Sequence, residues 1–401
     1  MSRKMKVSGI EWIGVIPDHW RIVKIKNICS MKSGLNLISE QIDEKGNYPV
    51  YGGNGLRGYY HDYNQDGEFV LVGRQGALCG NVNLVSGKFW ATEHAVVTTC
   101  NLNSNVNYCY RLLYAMNLNQ YSISTAQPGL AVNMILNLYT CLPPMTEQIA
   151  IAQYLDQKCN EIDSIIQNTK SSIEEYKAYK QSVITEAVTK GLNTSVSMKE
   201  SDVEWIGEMP EHWSLTKVKY LLDESIEKSI EGKEEPLSMS QQFGIVKSTE
   251  LYIPHATSSY IGGKLVYKNY LVFNKLKAHL GVFAVSPYNG VVSPDYAVYV
   301  GKQGTFVKFL EYLFKTKKCI QQFKRYIRGV GAGLSRLYTS DLFNIQIALP
   351  SYEEQIAITE YIEKKCVGID RLIAEKQKLI SELENYKKSL IYECVTGKKE
   401  V

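Results

Sequence analysis

The sequence predicts an α+β fold in which two β-rich α/β domains alternate with two long helices, the second domain and helix repeating the first. Three observations predict it. The phrase WIGVIPDHW at 12–20 returns as WIGEMPEHW at 205–213. LPPMTEQIAIAQYLDQKCNEIDSII at 142–166 returns as LPSYEEQIAITEYIEKKCVGIDRLI at 349–373, an offset of 207 that holds without a gap through KAYKQSVITEAVTK and ENYKKSLIYECVTG. Each copy of this second segment also carries an apolar stripe of period 3.5, the mark of a helix packed along a coiled-coil seam. Self-similarity on this scale signals duplication, and 401 residues exceed what one core usually serves.

The first domain spans 1–141. Trp12, Ile13 and Trp20 are large apolar groups suited to pinning the incoming chain on a core, as are Trp205, Ile206 and Trp213 in the second copy. Runs such as EFVLVG and HAVVTTC, broken by Gly and Asn, read as strands, and VNYCYRLLYAMN reads as a helix near the domain's end.

The central helix is expected over 142–192. Leu142-Pro143-Pro144 places prolines where a helix can begin but not continue, and Lys190-Gly191 marks its end. Its seam is Leu155, Cys159, Ile162, Ile166, Thr169, Ile173, Tyr176, Lys180, Val183 and Ala187. The polar stretch NTSVSMKESDVE at 193–204 reads as a linker.

The second domain is expected over 205–348, with strands in KLVYKNYLVF, GVFAV and DYAVYV and one helix in VKFLEYLFKTKKCIQQF. A register ties it to the first: Arg74 falls opposite Lys275, Gly80 opposite Gly281, and Glu93-His94-Ala95-Val96 opposite Asp295-Tyr296-Ala297-Val298. The C-terminal helix occupies 349–401, opening with a capping box at Ser351 and Glu354. Its seam is Ile362, Cys366, Ile369, Ile373, Lys376, Ile380, Leu383, Lys387, Leu390 and Cys394. Lys180 and Lys387 occupy matching seam positions, where a polar group fixes register at some cost in stability. About 45 residues at 1.5 Å each make a rod of roughly 65 Å, long enough to hold two globular parts one to two turns of B-DNA apart.

Composition and motifs narrow the chemistry. No apolar run approaches the ~20 residues of a membrane span, and the basic N-terminus lacks the apolar core of a secretory signal, so the expected compartment is the cytoplasm. Nine cysteines with no Cys-x-x-Cys pair point to reduced thiols, with neither a zinc site nor a disulfide framework. Adenine methylation normally needs an Asn/Asp-Pro-Pro-Tyr/Phe element, and Leu-Pro-Pro-Met at 142–145 fails it. No Gly-x-x-x-x-Gly-Lys-Ser/Thr loop exists to seat a nucleotide, and Gly329, Gly331 and Gly333 in RGVGAGLS lack dinucleotide spacing. Pro17-Asp18 with Asp43-Glu44-Lys45 formally fits a nuclease pattern, but the second copy, Pro210-Glu211, has no such downstream partner. No catalytic residue and no metal ligand is therefore assigned.

Charge points to nucleic acid. Between His255 and Ser340 the chain carries Lys264, Lys268, Lys275, Lys277, Lys302, Lys308, Lys315, Lys317, Lys318, Lys324, Arg325, Arg328 and Arg336 against only Asp295 and Glu311. One-signed charge interleaved with Tyr and Phe is the expected footprint of a phosphate-binding face, the alternative being a solvated lysine-rich helix. The first domain is not basic, its Arg57, Arg74, Lys88 and Arg111 being outnumbered by acids. There GGNGLRGYY at 52–60 is the natural reading loop, with Asn54 and Arg57 able to reach base edges. The candidate DNA contacts are thus Asn54, Arg57, Arg74 and Lys88 in the first domain. In the second they are Gln241, Gln242, Lys275, Lys277, Lys324, Arg325, Arg328 and Arg336.

The paired Trp-Ile-Gly-x-x-Pro-x-His-Trp phrases, the Leu-Pro-x-x-x-Glu-Gln opening of each long helix, and YLVFNKLKAH with GVVSPDYAVYV resemble specificity subunits of type I restriction-modification systems over essentially the whole chain. The resemblance implies a non-catalytic DNA reader: two target recognition domains, each reading half of a split sequence, held apart by an antiparallel pair of helices. It also implies double-stranded DNA, two modification (methyltransferase) subunits and restriction/translocase subunits as partners, and no membrane. S-adenosylmethionine, ATP and Mg2+ are expected on the partners and no cofactor on this chain. Two other classes stay open, a single-chain restriction enzyme and a coiled-coil scaffold without sequence preference.

Overall fold

The computed structural model describes residues 3–76, 78–122, 129–241, 243–250, 260–328 and 336–401. Two compact units form: Met1–Lys170 with Gln377–Val401, and Ser171–Lys376. The sequence places each long helix as a separate segment, 142–192 and 349–401. In the structure the helices run from Met145–Lys190 and Tyr352–Val395, and the boundary between units falls inside both of them. The reason is burial: a helix with one apolar stripe stabilises only what it packs against, so each half joins the core that covers it.

The first unit is built on a six-stranded sheet, in the order Cys29–Ser33, Ala95–Cys100, Gln65–Gly73, Val82–Ala91, Tyr48–Gly52, Gly55–Tyr60. All pairs are antiparallel except Tyr48–Gly52 against Val82–Ala91. Helix Val106–Ala115 covers it, capped by Asn105, whose Oδ1 accepts from the Tyr108 N–H at 3.0 Å. The core gathers Val70, Val72 and Val96 from the sheet, Leu112 and Leu113 from this helix, and Leu155, Cys159, Leu390 and Cys394 from the two long helices.

The second unit repeats the frame. Its four-stranded sheet runs Leu222–Glu224, Tyr296–Gly301, Leu271–Asn274, Phe283–Val285, the same order as the first four strands above. What differs is attached to the frame: a hairpin extends the first sheet, whereas separate strand pairs, Leu237–Ser240 with Gly244–Lys247 and Lys264–Val266 with Gly290–Val292, flank the second. KLVYKNYLVF, expected as one run, divides into two strands around Asn269, at φ 71°. The single helix expected in VKFLEYLFKTKKCIQQF is two, Val307–Phe314 and Lys317–Tyr326. Thr316 makes the break, its hydroxyl donating to the Leu313 carbonyl at 2.7 Å and accepting from the Cys319 N–H at 3.4 Å.

The expected linker also differs. Met198–Glu200 is a strand paired with Glu208–Pro210, as Met5–Val7 pairs with Val15–Pro17. MKESDVEWIG thus repeats MKVSGIEWIG, and the second repeat opens inside the stretch read as linker. Three-residue strands with outward polar side chains carry no alternation to betray them.

The doubled phrase acts as a clamp. Trp20 is fully buried and donates from Nε1 to Glu147 Oε2 at 2.9 Å, His19 Nε2 lies 2.5 Å from Oε1, and Arg3 pairs with the same carboxylate. Trp213 donates to Glu354 Oε2 at 3.1 Å, with His212 Nε2 at 3.0 Å. Trp12, Trp205 and Ile206 are only partly buried, at the margins of the two cores. Glu147 and Glu354 lie in the first turn of each long helix, where negative charge also meets the helix dipole. Half of the expected capping box forms, the Glu354 N–H donating to Ser351 Oγ at 3.2 Å, while the Glu354 carboxylate turns to the tryptophan. The neighbouring glutamines bridge helix to domain. Gln148 accepts from the Asn105 N–H and donates to the Asn103 and Pro143 carbonyls; Gln355 accepts from the Phe306 N–H and donates to Gly304 and Pro350.

Of the seam residues, Leu155, Cys159, Ile162, Ile166, Ile173, Ile362, Cys366 and Ile369 are buried and Ile373, Ile380 and Leu383 half-buried. Within each unit the helix halves run antiparallel. Lys387 meets both oxygens of Asp163 at 2.7 and 2.6 Å in the first, and Lys180 meets both oxygens of Asp370 at 2.7 Å in the second. The offset of 207 carries one ion pair onto the other. Among the described residues no helix is long and apolar enough to cross a membrane.

Candidate nucleic-acid interface

In the first unit the strand ends bring the reading loop and a cation together. Asn54 is exposed at the turn joining Tyr48–Gly52 to Gly55–Tyr60, with Gly55 at φ +96°. This tip folds onto the end of Gln65–Gly73. A Cβ on Gly73 would lie 2.0 Å from the Gly53 carbonyl oxygen, and one on Gly53 would lie 3.0 Å from Gln75 O and 3.2 Å from His94 O. Glycine at both places is what lets the chains approach. Arg74 is exposed there, its Nη1 donating to Ser33 Oγ at 3.3 Å, and His94 sits beside it with Nε2 3.2 Å from Glu93 Oε1.

Arg57 and Lys88 are exposed but take other partners. Arg57 donates to Ser39 Oγ at 3.3 Å, and the Lys88 ammonium lies 4.6 Å from the centre of the Tyr63 ring. Arg111 is buried and structural, bound to Asp156 on the central helix at 2.7 Å. Asp18 pairs with Lys4 at 3.6 Å while the backbone of Asp43 is engaged by Tyr59, so these nuclease-like residues serve separate local contacts.

In the second unit the one-signed charge is largely answered by acids from elsewhere in the sequence. Lys308 and Lys315 hold the buried carboxylate of Glu311 at 2.8 and 2.7 Å. Burial alone would raise the Glu311 pKa, but the charges and hydrogen bonds of these lysines outweigh it and hold it below its ordinary value. Lys302 pairs with Asp223, Arg325 with Glu204, Arg328 with Asp341, and Arg336 with Asp295 at 3.8 Å. Summing charge along a sequence window misses the pairs of Lys302, Arg325 and Arg328, because Asp223, Glu204 and Asp341 lie outside it. Lys324 and Lys277 are exposed, and Gln241 donates to the Leu280 carbonyl at 3.0 Å. Gln242 and most of RGVGAGLS lie outside the described residues.

Lys275 stands apart. It is half-buried, with no salt bridge to a described residue. Burial and the nearby charges of Lys264 and Arg336 push its pKa down, against the pull of Glu224 and Asp295. Lys264 itself is buried against Glu224 at 3.0 Å. Lys264 and Arg336 thus each have a carboxylate partner, and Lys275, at the end of strand Leu271–Asn274, is the cation of this group without a salt bridge among the described residues. Sequence reasoning missed the Glu224 that steadies it, and its register between the domains is off by one here: Gly73 pairs with Ala95 and Asn274 with Tyr296, so His94 rather than Glu93 stands in the place of Asp295.

The family described as Type I restriction modification DNA specificity domain matches residues 17–175. The chain is 44% identical over 151 residues to the Type I restriction enzyme EcoprrI specificity subunit of Escherichia coli, covering 36% of this chain and 38% of that one. It is 25% identical over 434 aligned positions to the Type I restriction enzyme MjaVIII specificity subunit of Methanocaldococcus jannaschii, covering 96% of this chain and 94% of that one. Among solved structures it is similar to a chain from a type I R-M system, with TM-score 0.69, 13% identity, and coverage of 96% and 99%. It is also similar to the HsdS subunit from Thermoanaerobacter tengcongensis, with TM-score 0.51, 14% identity, and coverage of 96% and 98%. Residues 17–175 thus match the model of that domain, and the two-domain α+β fold with long paired helices is shared with those solved structures.

Proposed function

We propose that this chain is the DNA-sequence specificity subunit of a type I restriction-modification complex, each unit reading one half of a split duplex target. The observation that carries the reading is the pairing of a constant frame with unlike attachments. The same four strands and the same Trp-Glu clamp occur twice, yet one unit presents an Asn54 hairpin and the other a cationic cluster. Direct readout depends on side chains and loops at the groove, so two unlike surfaces on one frame suit two unlike half-sites. The long helices set the interval between them. Their repeated sequences offer two similar surfaces for two copies of one modification subunit, in pseudo-two-fold relation.

On this reading the chain performs no catalysis. Methyl transfer from S-adenosylmethionine, and translocation and cleavage with ATP and Mg2+, belong to the modification and restriction subunits. The test is selection of bound duplexes from a randomised pool, with this chain co-expressed with its modification subunit, at stated salt. Two short, different half-sites around a fixed gap are expected. Selection of no motif by an assembled complex would overturn the reading and favour a scaffold, and Mg2+-dependent cleavage by the chain alone would favour a nuclease.

A further inference from the structure

We propose that Arg74 and Lys275 are the matched phosphate anchors of the two units, one cation at the same place in each repeat of the fold. The inference rests on the specificity reading above and assigns residues within it. Arg74 directly follows strand Gln65–Gly73, and Lys275 directly follows its counterpart Leu271–Asn274. The Arg74 carbonyl accepts from the Leu130 N–H at 2.9 Å, and the Lys275 carbonyl accepts from the Leu337 N–H at 3.1 Å. Leu130 and Leu337 are themselves related by the offset of 207. A left-handed glycine follows each cation at the same spacing, Gly80 at φ +88° and Gly281 at φ +77°. The strand ladders also agree, Gly73 pairing with Ala95 and Asn274 with Tyr296. The backbone at these two positions therefore shares its ladder register and two hydrogen bonds, the one from the leucine and the one from Gly73 N–H to Asn81 O in the first unit or Asn274 N–H to Val282 O in the second.

The side chains around them are not. Arg74 has Ser33 and the Asn54 hairpin for neighbours; Lys275 has Lys264 and Arg336. Whatever distinguishes two half-sites must be read by what differs between the units. What both half-sites share is the phosphate backbone, and the shared element here is a cation at an equivalent place on the main chain. Lys275 also keeps its ammonium partly buried beside two like charges, an arrangement that a bound anion relieves. Arg74 is exposed, and among the described residues its side chain spends one weak hydrogen bond, on Ser33.

The test uses the complex assembled with its modification subunits and the duplex selected by the wild type. Binding is measured against salt concentration for Arg74→Ala, Lys275→Ala and the double variant. Each single substitution should lower the slope of log Kobs against log salt by about 0.9, and the double by about twice that. The bases selected from a random pool should not change, and Arg74→Lys and Lys275→Arg should keep the wild-type slope. Unchanged slopes in the alanine variants overturn the assignment. So does an altered base preference in one half-site, which would make the residue a base reader. Motif selection by the wild type tests the specificity role separately, so either conclusion can fail while the other stands.

Discussion

Glu147 and Glu354 show how much a single side chain organises here. Each carboxylate accepts from a fully buried tryptophan and meets a histidine, tying the start of a long helix to the phrase that opens its repeat. Glu147→Ala leaves the Trp20 N–H without its acceptor, which should cost about 1–3 kcal/mol, read as a lower midpoint in urea. Burial disfavours the charged form of Glu147, but hydrogen bonds from His19 and Trp20 and the charge of Arg3 outweigh it and lower its pKa from the ordinary 4.5. A carboxyl depressed in the folded state contributes its stabilisation fully above its unfolded value and loses it as pH falls through the folded one. The gap in stability between wild type and Glu147→Gln should therefore be full at pH 7 and close below the ordinary carboxylate range. A gap that persists in acid would show that the charge contributes nothing.

The long helices make the comparison between burial and charge direct. Ile362 is fully buried in the second core, whereas Asp370, a little over two turns further on, is an exposed partner of Lys180. Ile362→Ala should cost about 2–5 kcal/mol through lost transfer energy and the cavity left behind. Asp370→Ala should cost less than about 1 kcal/mol, and that loss should shrink with salt. Chemical denaturation of both variants at low and high salt separates the two contributions. The duplicated pairs Lys180–Asp370 and Lys387–Asp163 then matter more for register than for stability, because only one alignment of the antiparallel halves lets both form.

At the scale of the whole molecule, two units on one duplicated plan make recognition separable. Asn54→Ala removes an exposed amide at the tip of the first unit's hairpin and leaves the sequence of the second unchanged. It should relax base preference in one half of the selected motif, by about 1–3 kcal/mol at the affected position, and leave the other half and the gap unchanged. A change in both halves would show that the units do not read independently. Much of this plan was legible in advance: the duplication, the long helices and their seams, and the strand register joining Arg74 to Lys275. The ion pairs of two candidate contacts were not legible, because Arg328 and Arg325 look free in a window of sequence and pair with Asp341 and Glu204 in three dimensions.

The sequence by itself determined what repeats. Identical phrases at fixed offsets and an apolar period of 3.5 need no coordinates, since helices and duplications are local or self-referential signals. Only the tertiary structure decided where the units divide, that the supposed linker opens the second repeat, and that Thr316 splits one helix into two. It alone brought the Asn54 hairpin against Gly73 and Gln75, on either side of Arg74, and left Lys275 with no salt bridge among the described residues. Those outcomes depend on which distant groups meet, and a pairing between residues far apart in the chain leaves no local trace in composition or period.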